Sequence, residues 1–251
     1  MIEPAITLAP AHAPQEEIRD FYERTSTRFA NHDFGALSGR DEYLLPLIPT
    51  PGDIALEYGF GRGGLLPALA LHFKRIIGVE LSQSAIDRCA EALRLQCPEI
   101  YSKIKFVRTS GTDLPAVEDS SIDVIVAAAV VEHVFDPYRL MDELRRVAKP
   151  GAVLVLTTPN LVYLKHRLTI LCGGLPKTGT DDDVSYWRAC GWDGGHLHYF
   201  TKTTLHRLLA DCGWAPEKWF GSGDRWPWLR PLRKQFPTVF SGELIVRAKA
   251  V

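Results

Sequence analysis

Apolar residues along this chain fall into two alternating patterns from about residue 53 onward: short unbroken runs, and helical stretches apolar on one face only. DIALEY (53–58), RIIGVE (75–80), IKFVR (104–108), IDVIVAAA (122–129) and AVLVLTT (152–158) are continuous enough to predict strands buried on both faces. A glycine-rich turn after the first run leads into a helix predicted through Ala68–Phe73. Ser82 is a suitable N-cap for a helix with Ile86, Cys89, Ala90 and Leu93 on one face. Asp136 and Pro137 supply a cap and an N1 proline for a helix burying Leu140, Leu144 and Val147. Arg145, Arg146 and Lys149 gather near its C-terminus, where the helix dipole favours cations, and it is predicted to stop at Pro150-Gly151. Thr201 caps a further helix with Leu205, Leu208, Leu209 and Cys212, closed by Gly213. Two last strands are predicted around 214–220 and 243–249, joined by an irregular stretch. The alternation implies an α/β fold, a doubly wound and mostly parallel sheet with right-handed crossovers.

Two regions break the rhythm. After a Pro/Ala-rich start, Ile18, Phe21, Tyr22 and Thr25 fall at helical spacing, so residues 1–50 are expected to be a helical segment covering the site of residues 51–251. Residues 159–200 show little periodicity and are expected to be a lid or acceptor loop. The formal net charge is −1, which supplies no general field for nucleic acid, and none is expected as a partner. Cys89, Cys97, Cys172, Cys190 and Cys212 form an odd, scattered set without a C-x-x-C pair, against both a disulfide framework and a zinc knuckle. The N-terminus lacks the features of a signal peptide, and no run approaches the roughly 18 apolar residues of a membrane span. A cytoplasmic location is the expectation.

The chemistry collects at the ends of the strands. The turn after the first strand reads Glu57-Tyr58-Gly59-Phe60-Gly61-Arg62-Gly63-Gly64, and Gly59, Gly61 and Gly64 have G-x-G-x-x-G spacing. Glu80 ends the next strand about 20 residues on, where a ribose-binding carboxylate belongs. That spacing alone allows a nicotinamide dinucleotide. Glu57 argues otherwise: a carboxylate two residues before the first glycine repels a pyrophosphate but attracts the sulfonium and amino groups of S-adenosylmethionine. In Gly111-Thr112-Asp113-Leu114-Pro115, Asp113 is placed to accept a hydrogen bond from an adenine amino group.

With Val131-Glu132-His133-Val134-Phe135-Asp136-Pro137, Pro150-Gly151 and Thr158-Pro159-Asn160 added, the stretch over roughly 40–215 resembles the class I S-adenosylmethionine-dependent methyltransferases. It looks closest to the branch of ubiquinone-biosynthesis O-methyltransferases and sugar- and natural-product-modifying relatives. The resemblance implies a seven-stranded Rossmann-like sheet with an antiparallel last strand. It also implies Glu57, Gly59 and Gly61 near the methionine end of the cofactor, Glu80 with Leu81 at the ribose, and Asp113 with Leu114 around adenine. Tyr58 departs from the small residue or Cys often found there, and either crowds the site or contacts the cofactor. Relatives in the quinone branch can hold a divalent metal through E-x-x-E-H and a later His. Here the first Glu position is Ala129, which leaves Glu132, His133 and His196, and no metal is expected.

Methyl transfer needs donor and acceptor held in line, and it needs a base when the acceptor is a hydroxyl. His133, His196 and His198 are the candidates, the last two in Gly194-Gly195-His196-Leu197-His198-Tyr199-Phe200. If residues 159–200 close as a lid hinged near Thr201, His196 and His198 arrive only with the acceptor. All six tryptophans lie in one late stretch, and GDRWPWLRPLRKQF (223–236) interleaves arginines with aromatic residues. That pattern suits a lipid-linked acceptor or peripheral membrane contact, although a solvated loop with snorkelling arginines is the plainer account. The expected function is methyl transfer to a small-molecule hydroxyl of a sugar, lipid-linked or natural-product acceptor. N-methylation of an amine, or cofactor binding without catalysis, are the alternatives.

Overall fold

The computed structural model describes Glu23, Leu37 and residues 39–179, 192–222 and 230–251. In chain order the elements are α1 (Gly39–Leu44), β1 (Gly52–Tyr58), α2 (Leu65–Ala70), β2 (Phe73–Glu80), α3 (Gln83–Gln96), α4 (Pro98–Tyr101) and β3 (Ile104–Arg108). They continue with β4 (Ile122–Ala128), α5 (Pro137–Val147), β5 (Ala148–Pro159), α6 (Leu164–Leu171) and α7 (Lys202–Asp211). The chain ends in β6 (Trp214–Ser222), α8 (Arg230–Gln235), α9 (Pro237–Phe240) and β7 (Glu243–Ala250). Seven strands form one sheet in the order β3-β2-β1-β4-β5-β7-β6. Strands β1 to β5 pair in parallel, and β7 runs antiparallel to both β5 and β6. This is the doubly wound Rossmann-like sheet expected, with the antiparallel last strand.

The continuous apolar runs are buried on both faces because helices cover both. Leu140, Met141, Leu144 and Val147 of α5 pack with Leu205 and Leu209 of α7 and with Trp214 on one face. Leu65, Leu66 and Leu69 of α2 join Ile86, Cys89 and Leu93 of α3 on the other, with Leu44 of α1. Each such side chain, fully buried, stabilises the fold by about 1.5–3 kcal/mol. The helix starts follow the cap chemistry read from the sequence. Ser82 Oγ accepts from Ala85 N at 3.1 Å, and an Asp136 carboxylate oxygen accepts from Arg139 N at 3.0 Å. Thr201 and Thr204 form a reciprocal capping box.

Several boundaries differ from expectation for local reasons. Phe73 is not helical but opens β2, where it is buried opposite Gly52. Helix α5 ends at Val147, so Lys149 lies in β5 and pairs with Asp123 rather than with the helix dipole. Ala148 pairs with Ile122, and the register slips around Pro150-Gly151 before Val153 meets Val124. Within 159–200 stands an unexpected helix, α6, whose Leu168, Ile170 and Leu171 are exposed and so leave no core-facing period to read. The irregular stretch before β7 holds α8 and α9. The helix expected around Ile18–Thr25 lies outside the described residues apart from Glu23, whose carboxylate accepts from Gln83 N and Ser84 N at the start of α3. No helix among the described residues is long and apolar enough to cross a membrane. The four described cysteines, Cys89, Cys97, Cys172 and Cys212, are free.

The strand order reverses between β1 and β4, and the crevice at their C-terminal ends is where open α/β sheets bind ligands. At the opposite end, Asp123 only ties the sheet together. Its Oδ2 accepts from Asp53 N and Ile54 N, and Lys149 pairs with its Oδ1.

Candidate active site

The crevice has an acidic end and a histidine end. At the acidic end, Glu80 Oε2 accepts from Gly61 N at 2.9 Å, and Oε1 accepts from Leu81 N at 2.8 Å and Ser82 N at 3.1 Å. One carboxylate therefore pins the glycine turn to the start of α3. Gly59 has φ +73°, and a Cβ there would lie 2.6 Å from Val130 Cγ2, so the turn packs directly on the segment that follows β4. Gly61 has φ +53° and nothing within 4 Å of a would-be Cβ, which leaves its outer side open. Glu57 is 6% exposed, and its Oε2 is buried without a hydrogen-bond partner. Burial, then the charges of Asp41 and Glu80, push its carboxyl well above the usual range.

The loop after β3 is more occupied than the sequence suggested. Asp113 is held by Arg139, whose Nη2 lies 2.8 Å from Oδ1. Leu114 is fully buried in the core, and its N–H donates to Glu143 Oε2 at 3.1 Å. Tyr58 does not crowd the crevice: it is buried in the core, and its hydroxyl donates to the Gly111 carbonyl, bracing this loop against β1.

At the histidine end, Glu132 is 1% exposed; Thr158 Oγ1 donates to its Oε2 at 3.0 Å, while Oε1 has no partner. Burial, only partly offset by hydrogen bonds from its own backbone and from Thr158, lifts its carboxyl to about 8. The rings of His133 and His196 meet edge to face, 4.7 Å between centroids. Burial, reinforced by His196, lowers His133 to about 4. His196 is lowered too, by burial and then by Arg40, against the pull of Asp193. Both rings are therefore neutral near pH 7. His198 points elsewhere: its Nε2 donates to the Phe135 carbonyl at 3.2 Å. The backbone N–H groups of Leu197 and His198 donate to the Glu132 carbonyl, so this stretch is docked on the β4 loop with His196 already beside His133.

The methyltransferase-domain family matches residues 12–218, well over half of the chain. The chain belongs to the class I S-adenosylmethionine-dependent methyltransferases. An uncharacterised methyltransferase of Mycobacterium leprae is 36% identical over 109 residues, 43% of this chain and 38% of that protein. A ubiquinone biosynthesis O-methyltransferase of Hahella chejuensis is 31% identical over 121 residues, 48% of this chain and 49% of that one. In both, the match spans less than half of the relative's length. The geranyl diphosphate C-methyltransferase of Streptomyces coelicolor, solved with Mg2+, geranyl diphosphate and S-adenosyl-L-homocysteine, has a TM-score of 0.65 and 16% identity. That comparison covers 97% of this chain and 100% of the other, and at such identity it concerns the fold alone.

S-adenosylmethionine is the cofactor of this methyltransferase family, and the crevice fits it. A buried, unpartnered oxygen of Glu57 suits a cationic group, and the open sides of Gly61 and Gly111 leave room for a ligand along the strand ends. One ligand atom from each of Glu132, His133 and His196 lies within 4.8 Å of the others, a grouping compact enough to hold a metal ion. The donor set has one carboxylate and two imidazoles, and Ala129 adds none. It does not suit Mg2+, which prefers several oxygens.

Three functional neighbours escaped the sequence reading. Arg40 Nε lies 2.6 Å from Glu243 Oε1, an ion pair without the alignment of a hydrogen bond, and brings α1 to the histidine end. Thr178 and Asp193 bond to each other and reach His196. Arg40 and Thr178 act across long stretches of chain that no local spacing announces, whereas Asp193 lies only three residues before His196. The basic-aromatic stretch is largely out of view: residues 223–229 lie outside the described residues. Arg233, which is described, is buried with Nε donating to the Phe240 carbonyl at 3.3 Å.

Proposed function

We propose that this methyltransferase transfers the methyl group of S-adenosylmethionine to a hydroxyl of a small-molecule acceptor, with His196 taking the hydroxyl proton and His133 beside it. The observation that carries this reading is the pair of half-buried, neutral imidazoles in edge-to-face contact, with His133 in the segment after β4 that packs through Val130 on the glycine turn. When bound, the cofactor supplies a methyl group already activated on sulfonium. The chain must then orient the acceptor, exclude water and accept one proton. A neutral imidazole does the last of these near pH 7. An amine already neutral at that pH needs no such base, so the paired histidines favour oxygen over nitrogen.

In this reading Glu57 faces the cationic methionine end and Glu80 takes the ribose hydroxyls while bracing Gly61, Leu81 and Ser82. Gly59 lets the turn approach the β4 loop, and Gly61 leaves its outer side to the ligand. Asp113 serves adenine through an oxygen beyond the one that Arg139 engages, whereas Leu114 supports that pocket from the core. His198 positions the loop and takes no proton. The acceptor is a sugar, lipid-linked or natural-product alcohol.

The test is a screen of alcohol and amine acceptors with S-adenosylmethionine labelled in the methyl group, repeated with His196→Ala. Alcohol methylation that falls roughly 10²–10⁴-fold in the variant, with unchanged S-adenosylhomocysteine affinity, supports the reading. Label transferred only to amines, or turnover indifferent to His196, refutes it.

A further inference from the structure

His196 does not stand alone behind its reactive edge. Its Nδ1 lies 2.6 Å from Thr178 Oγ1, and Thr178 Oγ1 lies 2.7 Å from Asp193 Oδ2. Asp193 is 3% exposed and is held on several sides. Gly179 N donates to Oδ1 at 2.7 Å, and Thr178 N donates to Oδ1 at 2.8 Å and to Oδ2 at 3.0 Å. Burial opposes its ionisation, but these N–H groups, the Thr178 hydroxyl and His196 together hold the carboxyl below its usual range.

An ionised carboxylate can only accept, and the Thr178 hydroxyl has one proton to give. That proton goes to Asp193. At 2.6 Å from Nδ1 the hydroxyl oxygen must then act as acceptor, and among the described residues the proton it meets is the one on Nδ1 of His196. In a neutral imidazole a proton on Nδ1 leaves Nε2 with its lone pair.

We propose that Asp193 and Thr178 are positioning residues that fix His196 as its Nδ1–H tautomer and so leave Nε2 bare to act as the base. The role rests on the reading of His196 as the base, and it adds where the proton goes. The acceptor hydroxyl gives its proton to Nε2, and the imidazolium keeps its Nδ1–H on Thr178, whose own hydrogen stays on Asp193. No proton need move along the chain; the carboxylate balances the new charge through one hydroxyl. The other charged and titratable groups facing this centre are Arg40, Glu132, His133 and Tyr199, with a Glu132 oxygen within 4.8 Å of a nitrogen of each ring. His133 shows the same polarity independently. Its Nδ1 is 3.2 Å from the Gly195 carbonyl, which can only accept, so Nδ1 carries the proton there too.

The experiment reads the tautomer directly and needs neither cofactor nor acceptor. Histidine labelled with 15N is incorporated into the full chain, and long-range 1H–15N spectra assign which nitrogen of His196 carries the proton. The expected result is Nδ1–H in the unmodified protein. In Thr178→Val the Nδ1–H to Nε2–H ratio should drop at least about tenfold, since one charge-supported hydrogen bond is removed. Thr178→Ser, which keeps the hydroxyl, should restore the original state. Asp193→Asn should drop the ratio as well; if that variant misfolds, Thr178→Val still decides, because it leaves both backbone donors to Asp193 in place. An Nε2–H proton in the unmodified protein overturns the proposal, as does a Thr178→Val spectrum that matches Thr178→Ser. Retained turnover in His196→Ala with the tautomer as expected would instead sink the base assignment and leave the positioning of His196 by Thr178 and Asp193 standing.

Discussion

Glu80→Ala gives the sharpest test of how the cofactor end is built. The carboxylate receives three backbone N–H groups at 2.8–3.1 Å, from Gly61, Leu81 and Ser82. Hydrogen bonds to a charged group contribute about 1.5–3 kcal/mol each, and water admitted at a site 9% exposed recovers part of that. The expected loss of stability without ligand is about 2–4 kcal/mol, a fall in Tm of roughly 5–12 °C for a chain of this size. The ribose contact adds a loss of roughly 10–150-fold in S-adenosylhomocysteine affinity, from about 1.5–3 kcal/mol. Glu80→Gln separates the contributions. Its amide keeps one acceptor oxygen, enough for Leu81 and Ser82, and turns an NH2 towards Gly61, so about half the stability loss should appear. Thermal unfolding without ligand and calorimetry with S-adenosylhomocysteine measure the two losses. An unchanged affinity in Glu80→Ala would show that the ribose is held elsewhere. An unchanged Tm would show that the glycine turn needs no brace.

Glu57→Gln should raise stability without ligand at pH 8 more than at pH 5. A carboxyl raised by burial contributes fully below its unfolded value near 4.5 and loses that contribution as pH rises towards its folded value. The same variant should bind S-adenosylmethionine at least about tenfold more weakly, and a flat pH dependence of the difference in Tm would refute the assignment. Asp113→Ala should weaken cofactor binding by less than Glu80→Ala, since Arg139 already occupies part of the carboxylate and an exposed pair contributes only about 0.2–1 kcal/mol; calorimetry giving an equal loss would contradict this. His198→Ala should leave turnover within about threefold of the parent under saturating acceptor, because its ring bonds to the Phe135 carbonyl and lies beside Phe200 rather than joining the His133–His196 pair. A loss matching that of His196→Ala would return His198 to the reaction centre.

The parts of this fold legible in the sequence are those fixed by neighbours along the chain. Strands showed as unbroken apolar runs because helices bury both faces. Ser82, Asp136 and Thr201 were readable as caps because a cap bonds to an N–H three residues on. Helix α6 was missed because its large residues face outward. The loss of Leu114 to the core was missed because Asp-Leu-Pro reads the same whether the leucine lines a pocket or lies beneath it. Thr178 and Asp193 meet fifteen positions apart, and Arg40 meets Glu243 from the far end of the chain, pairings that no periodicity encodes.

The placement of the acids then gains a common logic. Among the described residues no cation pairs with Glu57, and its buried, unpartnered oxygen makes the ligand-free fold less stable than an amide there would. That cost is recovered only when a cation enters. In the proposed reaction the sulfonium charge at that end disappears, while the amino group keeps its own, and one unit appears on His196. Asp193, ionised and reached through Thr178, stands behind the second position as Glu57 stands before the first. With a carboxylate near each location, the transition state, in which the charge is shared between them, is stabilised from both sides. Neutralising either acid should therefore slow transfer by different routes: Glu57→Gln through weaker cofactor capture, Asp193→Asn through a poorer base.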